Sequence, residues 1–116
     1  MHKLVILIEP MDDWQAFEDV WPEFLHLVEE MPGLLRESSS RVENFLYGKT
    51  PCAQMHELFF DSLEDAQQAM ASPQGRAAGK LLQHMTHGRM TLFIADYKED
   101  ELENIRKHRE GERGSQ

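Results

Sequence analysis

Histidine is the side chain that changes charge near neutrality, so the six histidines of this chain are the first place to look for proton chemistry. His56 lies in the run Ala53 to Phe60, which reads as a strand in the middle of a sheet with both faces covered. An imidazole in that setting could take and give a proton; it could equally be a neutral core histidine bonded to a backbone group or to a dimer mate. His56 is therefore the candidate catalytic residue. His26 falls opposite the apolar stripe of its helix and reads as solvated. His84 and His87 have the i,i+3 spacing that can place two ligands on one metal ion. No third ligand lies near them in sequence, and helix ends carry histidine for dipole reasons, so no metal is expected.

Trp14, Trp21 and Phe24 fall on the sheet-facing side of the first helix, where they form core and could also line a pocket. Trp21 and Phe24, with Tyr47 as a hydrogen-bond donor and Phe60, are the candidate ligand-binding residues. Met55, Met70, Met85 and Met90 read as gap-fillers. The chain has no glycine-rich phosphate loop, no nucleophile elbow and no CxxC pair, so no cofactor is expected.

These side chains are positioned by a simple series of elements. Lys3 to Glu9 is a β-branched apolar run closed by Pro10 and reads as the first strand. Asp12 or Asp13 can cap the helix that follows, whose apolar residues Trp14, Phe17, Trp21, Phe24, Leu25, Val28 and Met31 form one stripe. Pro22 inside it predicts a kink or a restart, and Pro32-Gly33 predicts its end, Gly33 supplying a left-handed cap. Leu34 to Tyr47 alternates and reads as a second, edge strand, followed by a loop over Gly48 to Pro51. After the third strand, Ser62 to Asp65 looks like a capping box opening a short helix, Leu63 to Ala71. Ser72-Pro73 starts another, with Ala77, Ala78, Leu81, Leu82 and Met85 inward and Gly88 as breaker. Arg89 to Tyr97 is the fourth strand, and Asp100 to Glu110 is a candidate exposed helix. The order β-α-β-β-α-β, its second helix in two pieces, is the split βαβ arrangement: a ferredoxin-like α+β fold with an antiparallel four-stranded sheet and helices on one face.

With 116 residues, 41% hydrophobic and 28% charged, the chain has the size and composition of one globular domain. The division expected is a domain over 1–97 and a charged extension over 98–116. A net charge of −9 and the absence of a basic stripe argue against nucleic acid and anionic membranes. In the extension, Arg106, Lys107, Arg109 and Arg113 alternate with Glu103, Glu110 and Glu112, a solvated mixed face. No run is long enough to span a bilayer, and the first residues read as a strand and not as a signal peptide. Cys52 is the single cysteine and reads as a small loop residue. It leaves no internal disulfide, which suits a reducing, cytoplasmic setting.

One face of such a sheet lies away from the helices, and its strands should alternate apolar and polar if that face meets water. Leu4 to Ile8 and Leu92 to Ala95 are apolar on both faces instead. The patch this implies, about a few hundred Å2, is larger than monomers usually expose, and burying each large side chain is worth roughly 1.5–3 kcal/mol. The C-terminal segment is too polar to cover it. A two-fold homodimer through facing sheets is therefore expected.

The local sequence resembles the EthD family of the dimeric α+β barrel superfamily over about residues 3 to 97. The run Glu57-Leu58-Phe59-Phe60-Asp61-Ser62-Leu63-Glu64-Asp65-Ala66, continuing through Ala69 to Ala78, is similar to the family's strand-three and helix-two signature. Met31-Pro32-Gly33-Leu34 resembles its "LPGL" turn, and Gly88 to Ile94 its last strand. The resemblance implies a dimeric barrel with a small hydrophobic pocket between sheet and helices. It also implies degradation of small hydrophobic, oxygenated metabolites by cofactor-independent oxidoreductase or monooxygenase-like chemistry. Wider relatives include cofactor-free monooxygenases, muconolactone isomerases, haem enzymes and fungal polyketide dehydratases. Two family features do not carry over. The helical His usual eight residues ahead of the turn's Pro is Phe24 here, and the His shortly before strand three is replaced by Pro51-Cys52-Ala53. That departure supports a second reading, a non-catalytic small-ligand-binding or accessory dimer; a purely structural dimer without a pocket is the third.

Overall fold

A computed structural model describes residues 1–107. Its elements are β1 (His2–Ile8), α1 (Trp14–Glu29), β2 (Arg36–Arg41), β3 (Gln54–Phe60), α2 (Leu63–Ala71), α3 (Pro73–Thr86) and β4 (Met90–Asp96). The strands form one antiparallel sheet in the order β2-β3-β1-β4. This is the ferredoxin-like α+β fold, with β2 an edge strand and β3 central as the sequence implies. Residues 102–107 are helical and exposed; His108 to Glu110 of the expected last helix, and Glu112 and Arg113 beyond it, lie outside the described residues. No helix among the described residues is long and apolar enough to cross a membrane.

Strand periodicity sorts the sheet into two faces. Leu4, Ile6, Ile8, Leu58 and Phe60 point at the helices and form the core with Phe17, Phe24 and Val28 of α1 and Ala78, Leu82 and Met85 of α3. The opposite face carries Lys3, Val5 and Leu7 of β1, in register with Phe59, Glu57 and Met55 of β3 and with Ala95, Phe93 and Thr91 of β4.

Asp13 caps α1, its carboxylate accepting from the Ala16 N–H at 3.0 Å. The helix runs through Pro22 without restarting. An interior proline costs about 3 kcal/mol, and burial of Phe17, Phe24 and Val28 on either side, at roughly 1.5–3 kcal/mol each, outweighs it. The helix stops at Glu29, short of Met31, because the ring of Pro32 disfavours helical backbone at the residue before it. Gly33 does take the left-handed conformation, with φ of 80°. The second strand is shorter than Leu34 to Tyr47: pairing ends just beyond Arg41, where the Val42 N–H meets the Ala53 carbonyl at 2.9 Å. Gly48 and Pro51, which lacks an N–H, then keep the connection out of the sheet.

Ser62 caps α2 by accepting from the Asp65 N–H, and Ser72 caps α3 by accepting from the Gly75 N–H, both at 3.0 Å. The two helices meet so tightly that a Cβ on Gly75 would collide with the Ala69 carbonyl. Along α3, Ala78, Leu82 and Met85 are buried as expected, Leu81 is half-buried, and Ala77 faces solvent. The stripe follows the i,i+4 row from Ala78, to which Ala77 does not belong.

Candidate functional site

The helix-facing side of β3 brings His56 under α1. Register pairs it with Ile6 on β1 and Ser39 on β2. Glu37, two residues before Ser39, is on the same face and diagonal to His56, within reach of a long side chain. The imidazole Nε2 and the Glu37 carboxylate are 2.9 Å apart. From above, Trp21 and Phe24, one helical turn apart, put their ring centroids 5.2 and 6.3 Å from the imidazole. Trp21 continues a ladder with Phe17 at 5.3 Å, and Phe17 with Trp14 at 4.6 Å. Trp14 Nε1 and Arg41 Nη2 both donate to Glu18 Oε1, at 2.8 and 2.9 Å, which pins the end of β2 to α1.

His56 is 2% exposed. Loss of water lowers its pKa from the ordinary 6.5, the Glu37 hydrogen bond and the charges of Glu37 and Glu57 offsetting only part of that effect. At neutral pH the ring is uncharged. A neutral imidazole facing a carboxylate carries its proton on Nε2 and donates it. Nδ1 is then a bare acceptor, and it is buried without a hydrogen-bond partner. A ring steered by a carboxylate on one nitrogen and free on the other has the layout of a general base.

Beside this pair, a cleft of about 340 Å3 opens between α1, α3 and the sheet. Leu4, Ile6, Leu58 and Leu92 form its floor, while Phe24 and Val28 form one wall and α3 the other. Phe24 is the shared element, with one side toward the cleft and His56 behind it; His56 itself does not line the cleft.

Of the sequence-derived candidates, the structure brings Trp21, Phe24 and His56 together. Phe60 is fully buried at the far end of β3, near Gly33, and lines none of this cleft. Tyr47 is 96% exposed, beside Phe45 and Leu46 in the β2–β3 connection. His26 is exposed and faces Glu30 at 3.4 Å. Among the described residues no group of three or more His, Cys, Asp or Glu side chains could hold a metal ion. Glu37 was not legible as a partner: the two-residue strand period puts it on the face of Ser39, but only the register of β2 against β3 sets it beside His56.

No family model matches the chain. An ethyl tert-butyl ether D (EthD) family protein from Bacillus halodurans is similar in structure, with a TM-score of 0.77 and 30% identity covering 84% of this chain and 99% of that one. An uncharacterised 11.0 kDa protein of Rhodococcus erythropolis, from a thcB-thcC intergenic region, is 28% identical over 98 residues, 83% of this chain and 94% of its own. A dimeric protein of unknown function and ferredoxin-like fold from Bacteroides fragilis matches at a TM-score of 0.59 and 20% identity, covering 83% and 95%. SnoaB, a cofactor-independent oxygenase from Streptomyces nogalater, matches at 0.61 and 11%, covering 85% and 93%. The last two share the fold.

Proposed function

The chain belongs to the EthD family, and we propose that it takes a small hydrophobic, oxygenated metabolite into the cleft between α1, α3 and the sheet and moves a proton with His56. The observation that carries this reading is the buried imidazole with Nε2 held by Glu37 and Nδ1 unpartnered. In the proposed step a C–H or O–H of the substrate gives its proton to the Nδ1 lone pair. The imidazolium formed is stabilised by the Glu37 carboxylate, and the electron pair stays on the substrate. That step opens isomerisation by reprotonation at another atom, dehydration by loss of water and, with dioxygen as the oxidant, cofactor-independent oxygenation; SnoaB, which has the same fold, is a cofactor-independent oxygenase. Phe24 and Val28 would supply the apolar wall, Trp21 would hold the imidazole from above, and Phe24 must swing aside for substrate to reach His56.

The working unit is proposed as residues 1–97 in a homodimer. In support, Phe93 is 43% exposed on the helix-free face, and the Bacteroides fragilis protein of the same fold is dimeric. A cytoplasmic setting is proposed from the lone, unpaired Cys52.

A thermal-shift screen of oxygenated aromatic compounds, coupled to product detection, tests the reading. Turnover should fall by about 10²-fold or more in His56→Gln, while ligand-induced stabilisation is kept. Undiminished turnover in that variant overturns the proton-carrier role. The position of Phe24 between His56 and the cleft favours one other reading, a small-ligand-binding protein without turnover; stabilisation with no product from any stabilising compound would select it.

A further inference from the structure

The mouth of the cleft has a charge opposite to that of the chain. The protein carries 21 acidic residues against 12 Lys and Arg, yet α3, reading PQGRAAGKLLQHMT, has no carboxylate and two cations, Arg76 and Lys80. These two, with Gln83 and Gly79, recur at three- and four-residue spacing, so they share one face of the helix, and all four line the cleft. Everything deeper in it is apolar, and no acidic side chain lines it.

Arg76 Nε donates to the Ala71 carbonyl at 2.9 Å, which fixes the guanidinium at the helix start and leaves its terminal nitrogens available. Among the described residues neither Arg76 nor Lys80 is in an ion pair. Two like charges at i,i+4 oppose the helix slightly, so a negative group set between them would relieve the helix as well as bind. Charges more than about 8 Å away are largely screened at physiological salt, and Arg76 and Lys80 are the only charged residues among the described ones that line the cleft. Gly79 contributes room: nothing lies within 4 Å of a Cβ placed there.

Accepting the cleft as the ligand site, as the proposed function does, we infer that its ligand is an amphipathic monocarboxylate. Its aromatic or branched aliphatic body lies against Leu58, Phe24 and Leu92, and its carboxylate lies between Arg76 and Lys80. An arginine fork matches a carboxylate in geometry, and two cations suit a single anionic group on an otherwise apolar body.

The test titrates the full chain with 4-propylbenzoate and with 4-propylbenzamide, which share a body and differ in charge, by isothermal calorimetry at low and high salt. Benzoate is expected to bind about tenfold more tightly than the amide at low salt. That advantage should disappear at high salt and in the double variant Arg76→Gln/Lys80→Gln, with the amide unaffected. Gly79→Leu, which fills open space and spares the core, should abolish both. Equal binding of the two compounds, both blocked by Gly79→Leu, overturns the carboxylate assignment and leaves the cleft as the ligand site. A preference for benzoate that survives the double variant also overturns the assignment. Binding unchanged by Gly79→Leu, or no binding of either compound, overturns the cleft reading itself and this inference with it.

Discussion

Stripped of water and set beneath Trp21 and Phe24, the His56 ring is cheaper to keep neutral than charged, and this couples folding to pH. Its folded pKa lies below the ordinary 6.5, so between 6.5 and the folded value the unfolded chain binds more protons than the native one. Stability contributed by neutral burial is therefore complete above pH 6.5 and is lost as pH falls through the folded pKa. Thermal unfolding followed by circular dichroism should show the midpoint dropping below pH 6.5, with a shallower drop in His56→Gln over the same window. Glu37 works the other way: its hydrogen bond and charge raise the histidine pKa, so Glu37→Gln should make the imidazole harder to protonate. The lone pair on Nδ1 is a buried acceptor without a partner, an arrangement that costs about 1–3 kcal/mol. That cost is a reason to look for function at this residue, because structural histidines are normally satisfied.

The elements show how far sequence alone reaches. Helix caps were legible because they are local: Asp13, Ser62 and Ser72 each meet an N–H within three residues. The strand order was legible because short connections and crossover rules leave few alternatives. Element ends were less so. The limits of α1 and β2 are set by what Pro32 and Pro51 forbid, and Pro22 was overruled by the buried side chains around it. The site was half legible. Trp21, Phe24 and His56 follow from facing directions, whereas Glu37 and the cationic mouth of α3 depend on register and on the seating of α3. The two glycines of α3 separate these influences. Gly79→Ala meets open space and should stabilise by about 1 kcal/mol through helix propensity. Gly75→Ala must push α3 away from the Ala69 carbonyl and should destabilise by about 1–3 kcal/mol. Urea unfolding of the two variants should give opposite signs.

At the scale of the whole molecule, a single chain covers its helix-free face better than the unbroken apolar runs of β1 and β4 imply. Val5 and Phe59 are buried there. Arg36 lies 3.9 Å above the Phe59 ring, and Lys3 bridges Glu57 at 3.0 Å across the same face. Phe93 remains exposed, with Leu7 and Met55 half-buried, and these are the side chains that a facing partner sheet would cover. Light scattering should give twice the 13.5 kDa chain mass, and Phe93→Lys should shift the protein toward that single-chain mass. On the proposed function, the fold, the cleft and a second subunit would all act through the state of one ring. Nitrogen-15 NMR of the His56 imidazole across pH measures that state. The expected result is a proton on Nε2, a bare Nδ1 and a titration midpoint below 6.5 that falls further in Glu37→Gln. A proton on Nδ1 at neutral pH, or a midpoint at or above 6.5, would contradict the general-base role of His56.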